Sequence, residues 1–464
     1  MAAQTRGQLK YGRRMTSAEL PATTIAWLHE TKLAEMPAQV VAFGKRCLLD
    51  LVGVAAAGRT TELSRVIHAH AVDHFGPGAA TKPVPLLFDG QLVSPAGAAL
   101  AAGMTIDSID AHDGHKLTKG HSGCHQLPAL LGYAYAESLD DPAEFLATLV
   151  VGYEIATRAG IALHATTPDY HTSGAWGAVG AAALGARILS LDPQATFEAL
   201  GIAEYHGPRS QMMRCIDHPT MLKDGSGWGA MAGVSAAYLA RDGFTGAPAI
   251  TVNDPVVADL WADLGSRWII LEQYFKPAPV CRWAQPAVEA ALNLRAEHDL
   301  TASDIARVEV TTFHEAARLA TAAPTTTEQA QYSLPFPVGA ALVRGQLGAA
   351  EITANGLADP AILAMSNKVT IAEDDMHNRA FPANRYARVT LHLTDGRIVV
   401  SEDTEPRGDP EAHLSTDEIH AKFHSFADPV LGAGRATAIE EIIMGLEQAE
   451  SLAPLLNQLA QPLS

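Results

Sequence analysis

A chain of 464 residues is too long for a single small core and is expected to divide into two domains. Its formal charge of −18 argues against the basic face that nucleic acid or an anionic membrane surface would need, so neither is expected as a partner. With 18% charged and 48% apolar residues it is not a disordered chain, and a small-molecule partner is expected.

Residues 1–20 are expected to form an N-terminal tail, because they carry Arg and Lys without the continuous apolar run of a signal peptide. From there, apolar segments of helical length alternate with Gly, Pro and Asp breaks, at 37–57, 95–105, 142–163, 175–191 and 228–241. Asp141-Pro142 and Asp192-Pro193 have the form of helix starts, with Asp as N-cap and Pro in the first turn. The Ala and Gly content of these helices predicts close backbone packing. Beyond about residue 270 the pattern changes. Residues 308–313 and 386–393 alternate as half-exposed strands do, and Thr394-Asp395-Gly396 before Arg397 predicts a hairpin. Helical patterning returns after Pro410, with starts at Ser415 and over 438–449. The fold class is therefore expected to be mainly α. A large all-helical domain (21–269 and 406–464) would be joined by a smaller α+β domain (270–405).

Four separated cysteines, Cys47, Cys124, Cys215 and Cys281, form no CxxC or finger pattern, and a reduced cytoplasmic protein is expected. No stretch offers about 20 apolar residues free of polar ones.

The chemistry concentrates in one place. Asp107, Asp110, His112, Asp113, His115, His121 and His125, with Lys116 and Lys119, lie in a single short stretch between Ala/Leu/Gly-rich helices. His112 and His115 are three apart and His121 and His125 four apart, so each pair could share a helix face, but HExxH is absent. The preferred reading is general acid/base work on an anion without a metal: a neutral His takes a proton while Lys or Arg offsets the developing charge. Three further segments fit that reading. Tyr170 and His171 precede a small-residue helix whose N-terminus suits a carboxylate, or merely form a capping turn. Lys223 stands alone in apolar company, as a functional cation or a snorkelling one. Lys276, Cys281 and Arg282 lie at the junction of the two domains, where clefts form, or in a rigid Pro-rich linker.

Gly174, Gly177 and Gly180 imitate a nucleotide loop, but no strand precedes them and the spacing is not GxGxxG. GxSxG and P-loop signatures are also absent, and no cofactor is expected.

The ordered set of segments resembles the MmgE/PrpD family. It comprises 48–54, Ser108-Ile109-Asp110-Ala111-His112-Asp113, 121–128, Gly152-Tyr153-Glu154, 171–177, 223–233, 243–246, 276–282 and Gln329-Ala330-Gln331-Tyr332-Ser333-Leu334-Pro335. Each motif is weak by itself; their consistent order across 37–426 is strong. The resemblance implies a helical domain with a smaller α+β lid domain, usually in a homodimer, and a metal-independent site in the cleft between them. It places Asp110, His121, His171, Lys223 and Lys276 at the family's catalytic positions, with His115, Lys119, Tyr170, Cys281 and Arg282 around a small anionic carboxylate substrate. Three departures from the family's cis-aconitate decarboxylase branch stand out: Cys281 and Gln285 replace histidines, and Phe336 replaces a Tyr. The expected activity is a hydratase or dehydratase, then an epimerase of a substituted succinate, then a decarboxylase; a non-catalytic carboxylate binder is the reading from another class.

Overall fold

The computed structural model describes residues 19–79 and 81–463. Most of the expected 1–20 tail lies outside them, but Glu19 already opens helix α1 (Glu19–Glu30). Helices α2 (Ala38–Gly58), α3 (Pro95–Asp107), α4 (Gly123–Glu137), α5 (Pro142–Thr166), α6 (Gly174–Ile188), α7 (Pro193–His206) and α8 (Ser226–Arg241) follow in chain order. Asp141 caps α5 by accepting the N–H groups of Ala143 and Glu144, and Asp192 caps α7 through that of Ala195, each with Pro in the first turn.

Helix α6 is buried from Gly174 to Arg187, so it has no solvent face and forms the centre of the bundle. Helices α4, α5, α7 and α8 pack around it, and α8 also packs along α3. Small residues set that last contact. A Cβ on Gly103 would stand 2.6 Å from the Cα of Gly227, so the two helices cross backbone to backbone only because both positions are Gly. Helix α5 is long and apolar enough to cross a membrane, yet 94% of its apolar window is buried within the protein.

A two-stranded ribbon pairs β1 (Gly114–His115) with β2 (Gln273–Tyr274), Gly114 opposite Tyr274. This brings the acidic and histidine-rich stretch against the segment that leads to Lys276. After α9 (Gln285–Glu297) comes strand β3 (Ile305–Thr312), then α10 (Pro335–Arg344), β4 (Val369–Glu373), β5 (Ala387–Leu393) and β6 (Ile398–Val400). They form one sheet in the order β4-β3-β5-β6. The hairpin expected at 394–396 joins β5 to β6, with Gly396 at φ 92°, a conformation Gly adopts without steric cost. Strand β4, parallel to β3, was not legible in the sequence: only Val369 is buried among its five residues, so its pattern carries no alternation. Strand β5 alternates cleanly and packs its inner face on α9.

Helix α11 (Thr416–Leu431) opens on a capping box of Ser415 and Glu418 and packs along α2. From α11, Lys422 donates to Asp50 of α2 (2.5 Å) and to the carbonyl oxygen of Ala111 (2.7 Å), tying the C-terminal segment to the loop that carries Asp110. The helix expected over 438–449 starts earlier, as α12 (Ala433–Met444), and continues only as a short 3-10 turn, Leu446–Gln448. Gly432, at φ 78°, ends α11 and starts α12 at once.

Candidate active site

The loop between α3 and α4 is built around strained positions. Asp110 (φ 50°) and Lys119 (φ 49°) both adopt the left-handed region that β-carbon-bearing residues avoid, and so does Lys223 (φ 51°) before α8. Such backbone persists only where the surroundings over-determine it. Here they do so by long-range contacts: Lys276 donates to the Asp110 side chain (2.6 Å) and to its carbonyl oxygen (3.0 Å).

Asp110, Lys119, His121, Tyr170, Lys276, Cys281 and Arg282 line one cavity. His121 bonds through Nδ1 to the carbonyl oxygen of Asp113. A carbonyl can only accept, so Nδ1 carries the hydrogen, and the lone pair resides on Nε2, which bonds no protein atom among the described residues. Burial and the Lys276 ammonium push the His121 pKa down to about 3, so the ring is neutral at pH 7 and its Nε2 carries no proton. Its plane is held by stacking on His112 at 4.3 Å, and its backbone N–H by the Ser173 hydroxyl at 3.0 Å.

The cations differ in what they hold. Lys276 is committed to Asp110: burial pushes that carboxyl up, but the Lys276 and Lys223 ammonium groups more than offset this and hold it below the usual range. Arg282 donates to Asp409 (2.6 Å), Gln285 (3.0 Å) and the carbonyl of Arg407 (2.9 Å), so its terminal nitrogens are largely spent inside the protein. Gln285 also donates to the carbonyls of Ala278 and Val280, bracing the segment that carries Lys276 and Cys281. Lys119 rests over the Tyr170 ring at 4.9 Å, and Tyr170 donates its hydroxyl to the Lys119 carbonyl. Burial lowers the Lys119 pKa, with Glu315 opposing and Arg385 adding to the shift. Burial pushes the Cys281 thiol up to about 12, so it stays protonated and is no nucleophile at neutral pH.

Three expected site residues stand outside the lining. Lys223 lies behind the Tyr332 ring (4.7 Å) and bonds Gln331; burial opposes its charge, but Asp110 and Asp107 more than offset this and raise its pKa. Its influence on the cavity is electrostatic. His171 stacks on His164 at 4.4 Å, beside Asp169. His115 faces Glu272 at 3.5 Å.

Conversely, Tyr274, Asp224, Trp283, Tyr332 and Arg385 line the cavity without having been singled out. Tyr332 places an aromatic ring there, while Phe336, at the position where the hydroxyl is lost, is buried in the core. Gly114 lacks a side chain for a physical reason: a Cβ would stand 2.5 Å from the Tyr274 hydroxyl. Asp224 accepts the Ser173 N–H (2.9 Å), and burial, with the Asp107 carboxyl beside it, raises its pKa above the usual carboxylate range. Aromatic, Arg and Asp residues are too common for sequence to distinguish these five.

Ligand atoms of Asp110, His112 and His121 lie within 4.8 Å of one another, a separation one metal ion would tolerate. The Lys276 ammonium at 2.6 Å already neutralises the Asp110 carboxylate, so a divalent cation would have to displace it against the charge of Lys223 as well. The arrangement suits proton transfer better.

His125 offers a stability test of the site's dryness. Burial lowers its pKa to about 4, against about 6.5 for an unfolded His. The unfolded chain therefore takes a proton that the folded one refuses, and stability present above pH 6.5 is lost as the pH falls toward 4. His125→Gln cannot titrate. Its stability relative to the parent should improve by about 1.4 kcal/mol between pH 7.5 and 5.5, measured by urea unfolding at both. A pH-independent difference would mean that His125 titrates normally.

A family model described as the MmgE/PrpD N-terminal domain matches residues 23–260, and one described as the MmgE/PrpD C-terminal domain matches 278–448. Among curated proteins, a cis-aconitate decarboxylase-like protein, oryM, of Aspergillus oryzae is 24% identical, covering 93% of this chain and 95% of its own. Cis-aconitate decarboxylase of Aspergillus terreus is 23% identical over 94% of this chain and 95% of its own, and that of Homo sapiens 23% over 94% and 93%.

Proposed function

This chain belongs to the MmgE/PrpD family, and on that premise we propose that it is a metal-independent lyase adding or removing water on a small di- or tricarboxylate. The observation that carries the reading is His121: a neutral imidazole with Nε2 unbonded, in a cavity lined by Lys119, Lys276, Arg282 and Arg385.

In the dehydration direction, His121 Nε2 takes the proton α to a substrate carboxylate. The electron pair of that C–H bond becomes the C=C bond, and the β-hydroxyl leaves as water after receiving a proton from Lys119, whose lowered pKa suits it as the acid. Charge building on the α carboxylate is offset by Lys276 and, through Tyr332, by Lys223. A direct contact of this kind supplies about 3 kcal/mol, near two powers of ten in rate, and Lys223, behind the ring, supplies less. Of the expected catalytic residues, His171 is left without a proton-transfer step, since it stacks on His164 outside the lining.

The reading includes a helical domain (21–269 and 406–464) and a lid (270–405) that supplies Lys276, Arg282 and Arg385, in a cytoplasmic homodimer. Four free, buried cysteines are compatible with a reducing compartment. Decarboxylation is the second reading, favoured by the named activity of the relatives; Cys281 and Gln285, in place of that branch's histidines, count against it.

Proton NMR in D2O with citrate, 2-methylcitrate, cis-aconitate, itaconate and iminodisuccinate separates these chemistries. Deuterium at an α carbon together with a new alkene signal is the expected outcome. Deuterium without an alkene means epimerisation, itaconate formed from cis-aconitate means decarboxylation, and silence across the panel overturns the proposal.

A further inference from the structure

Arg385 is 2% exposed, and its Nε and Nη1 are buried without a hydrogen-bond partner. Its one bond is a long one, from Nη2 to the carbonyl oxygen of Lys116 at 3.4 Å. An unpaired guanidinium is costly to bury, and the fold provides no carboxylate within ion-pair distance of it among the described residues. The other cations of the cavity sort differently. Lys276 is matched by Asp110 and Arg282 by Asp409, which leaves Lys119 and Arg385 as two positive charges with no carboxylate at ion-pair distance among the described residues.

Tyr274 fixes the spacing. His121 stands 6.3 Å from the centre of its ring and Arg385 5.8 Å, so proton-accepting and cationic groups border one aromatic floor. Arg385 enters from the chain just ahead of β5, whereas His121 and Lys119 belong to the loop before α4. The two groups thus reach the cavity from segments far apart in the chain.

We infer that Arg385 is the anchor for a second carboxylate of the ligand, remote from the carbon deprotonated at His121, and that it selects dianions over monoanions. This rests on the reading of the cleft as a carboxylate site. A planar fork of donors meets a carboxylate bidentately, which a lysine cannot reproduce, and the bound anion satisfies the nitrogens the protein leaves unpaired.

The test uses propane-1,2,3-tricarboxylate and butyrate as probes, titrated calorimetrically into the full-length parent and into Arg385→Gln and Arg385→Lys. The parent should bind the tricarboxylate and discriminate against butyrate. Arg385→Gln should lose about 100-fold in tricarboxylate affinity, Arg385→Lys at least tenfold, and both should bind butyrate as the parent does. The melting temperature of the unliganded variants should not fall, because the deleted charge leaves no ion-paired carboxylate stranded among the described residues. A loss under tenfold in Arg385→Gln, with the parent binding well, overturns the anchor while the carboxylate cleft stands. A lowered melting temperature of unliganded Arg385→Gln also overturns it, by making Arg385 a packing residue. A parent that binds no tricarboxylate removes the cleft reading and the anchor with it.

Discussion

Lys276→Met will lose both turnover and stability, and the size of the second loss follows from burial. The ammonium and the Asp110 carboxylate are 1% and 3% exposed, so deleting one leaves the other charged and alone in the interior. Breaking a buried pair in this way costs about 3–5 kcal/mol. Turnover of whichever panel carboxylate the parent consumes should fall by at least about 10³-fold, because the cation beside the reacting carboxylate and the anchor of the strained Asp110 backbone disappear together. The control is Asp110→Asn combined with Lys276→Met. Without an orphaned charge, the double variant should regain most of the stability, measured by urea unfolding, and none of the activity. If both single and double variants are as stable as the parent, the pair is not the buried brace its geometry describes. If the double variant is active, the pair does not belong to the chemistry.

His121→Gln will separate binding from catalysis. Glutamine keeps a donor for the Asp113 carbonyl but has no basic nitrogen to replace Nε2. Turnover and α-proton exchange into D2O should fall by about 10³-fold, in the range a positioned general base supplies. Calorimetric affinity for propane-1,2,3-tricarboxylate should change by less than threefold, since at pH 7 the lost ring is neutral and holds no substrate charge. The matched variant His171→Gln should lose less than tenfold in turnover, because His171 stacks on His164 away from the cavity lining. Full activity in His121→Gln would move the base elsewhere; a larger loss in His171→Gln than in His121→Gln would exchange their roles.

A buried pair such as Lys276–Asp110 is retained at some expense, and its position explains why. The desolvation of two ions offsets much of their attraction, so the pair contributes little net stability compared with well-packed apolar residues. What it does is hold Asp110 in a left-handed backbone conformation and place an ammonium at the cavity wall. The Lys422–Asp50 pair beneath the same loop, with its further bond to the Ala111 carbonyl, has the same character. Strain at the site is thus borne by charges reaching it from distant segments.

The amino-acid sequence by itself determined the mainly α fold class, because apolar periodicity, Asp-Pro helix starts and a Thr394-Asp395-Gly396 turn are local signals that act within a few residues. The density of carboxylates, imidazoles and lysines over 107–125 also marked the stretch that reaches the cavity, through Asp110, Lys119 and His121, although Asp107, His112, Asp113, His115 and His125 are buried outside its lining. Tertiary structure alone decided which of those groups meet. Asp110 finds Lys276 across 166 positions and Arg282 finds Asp409 across 127, and no spacing rule foretells such pairs. The same holds for the residues displaced from expectation. His171 and Lys223 stand behind aromatic or imidazole rings, while Arg385, one arginine ahead of a strand, becomes a cation with no ion-pair partner among the described residues. Charge matching is a sum over neighbours from every segment packed around a cavity, so only the folded chain determines which cation is left for a ligand.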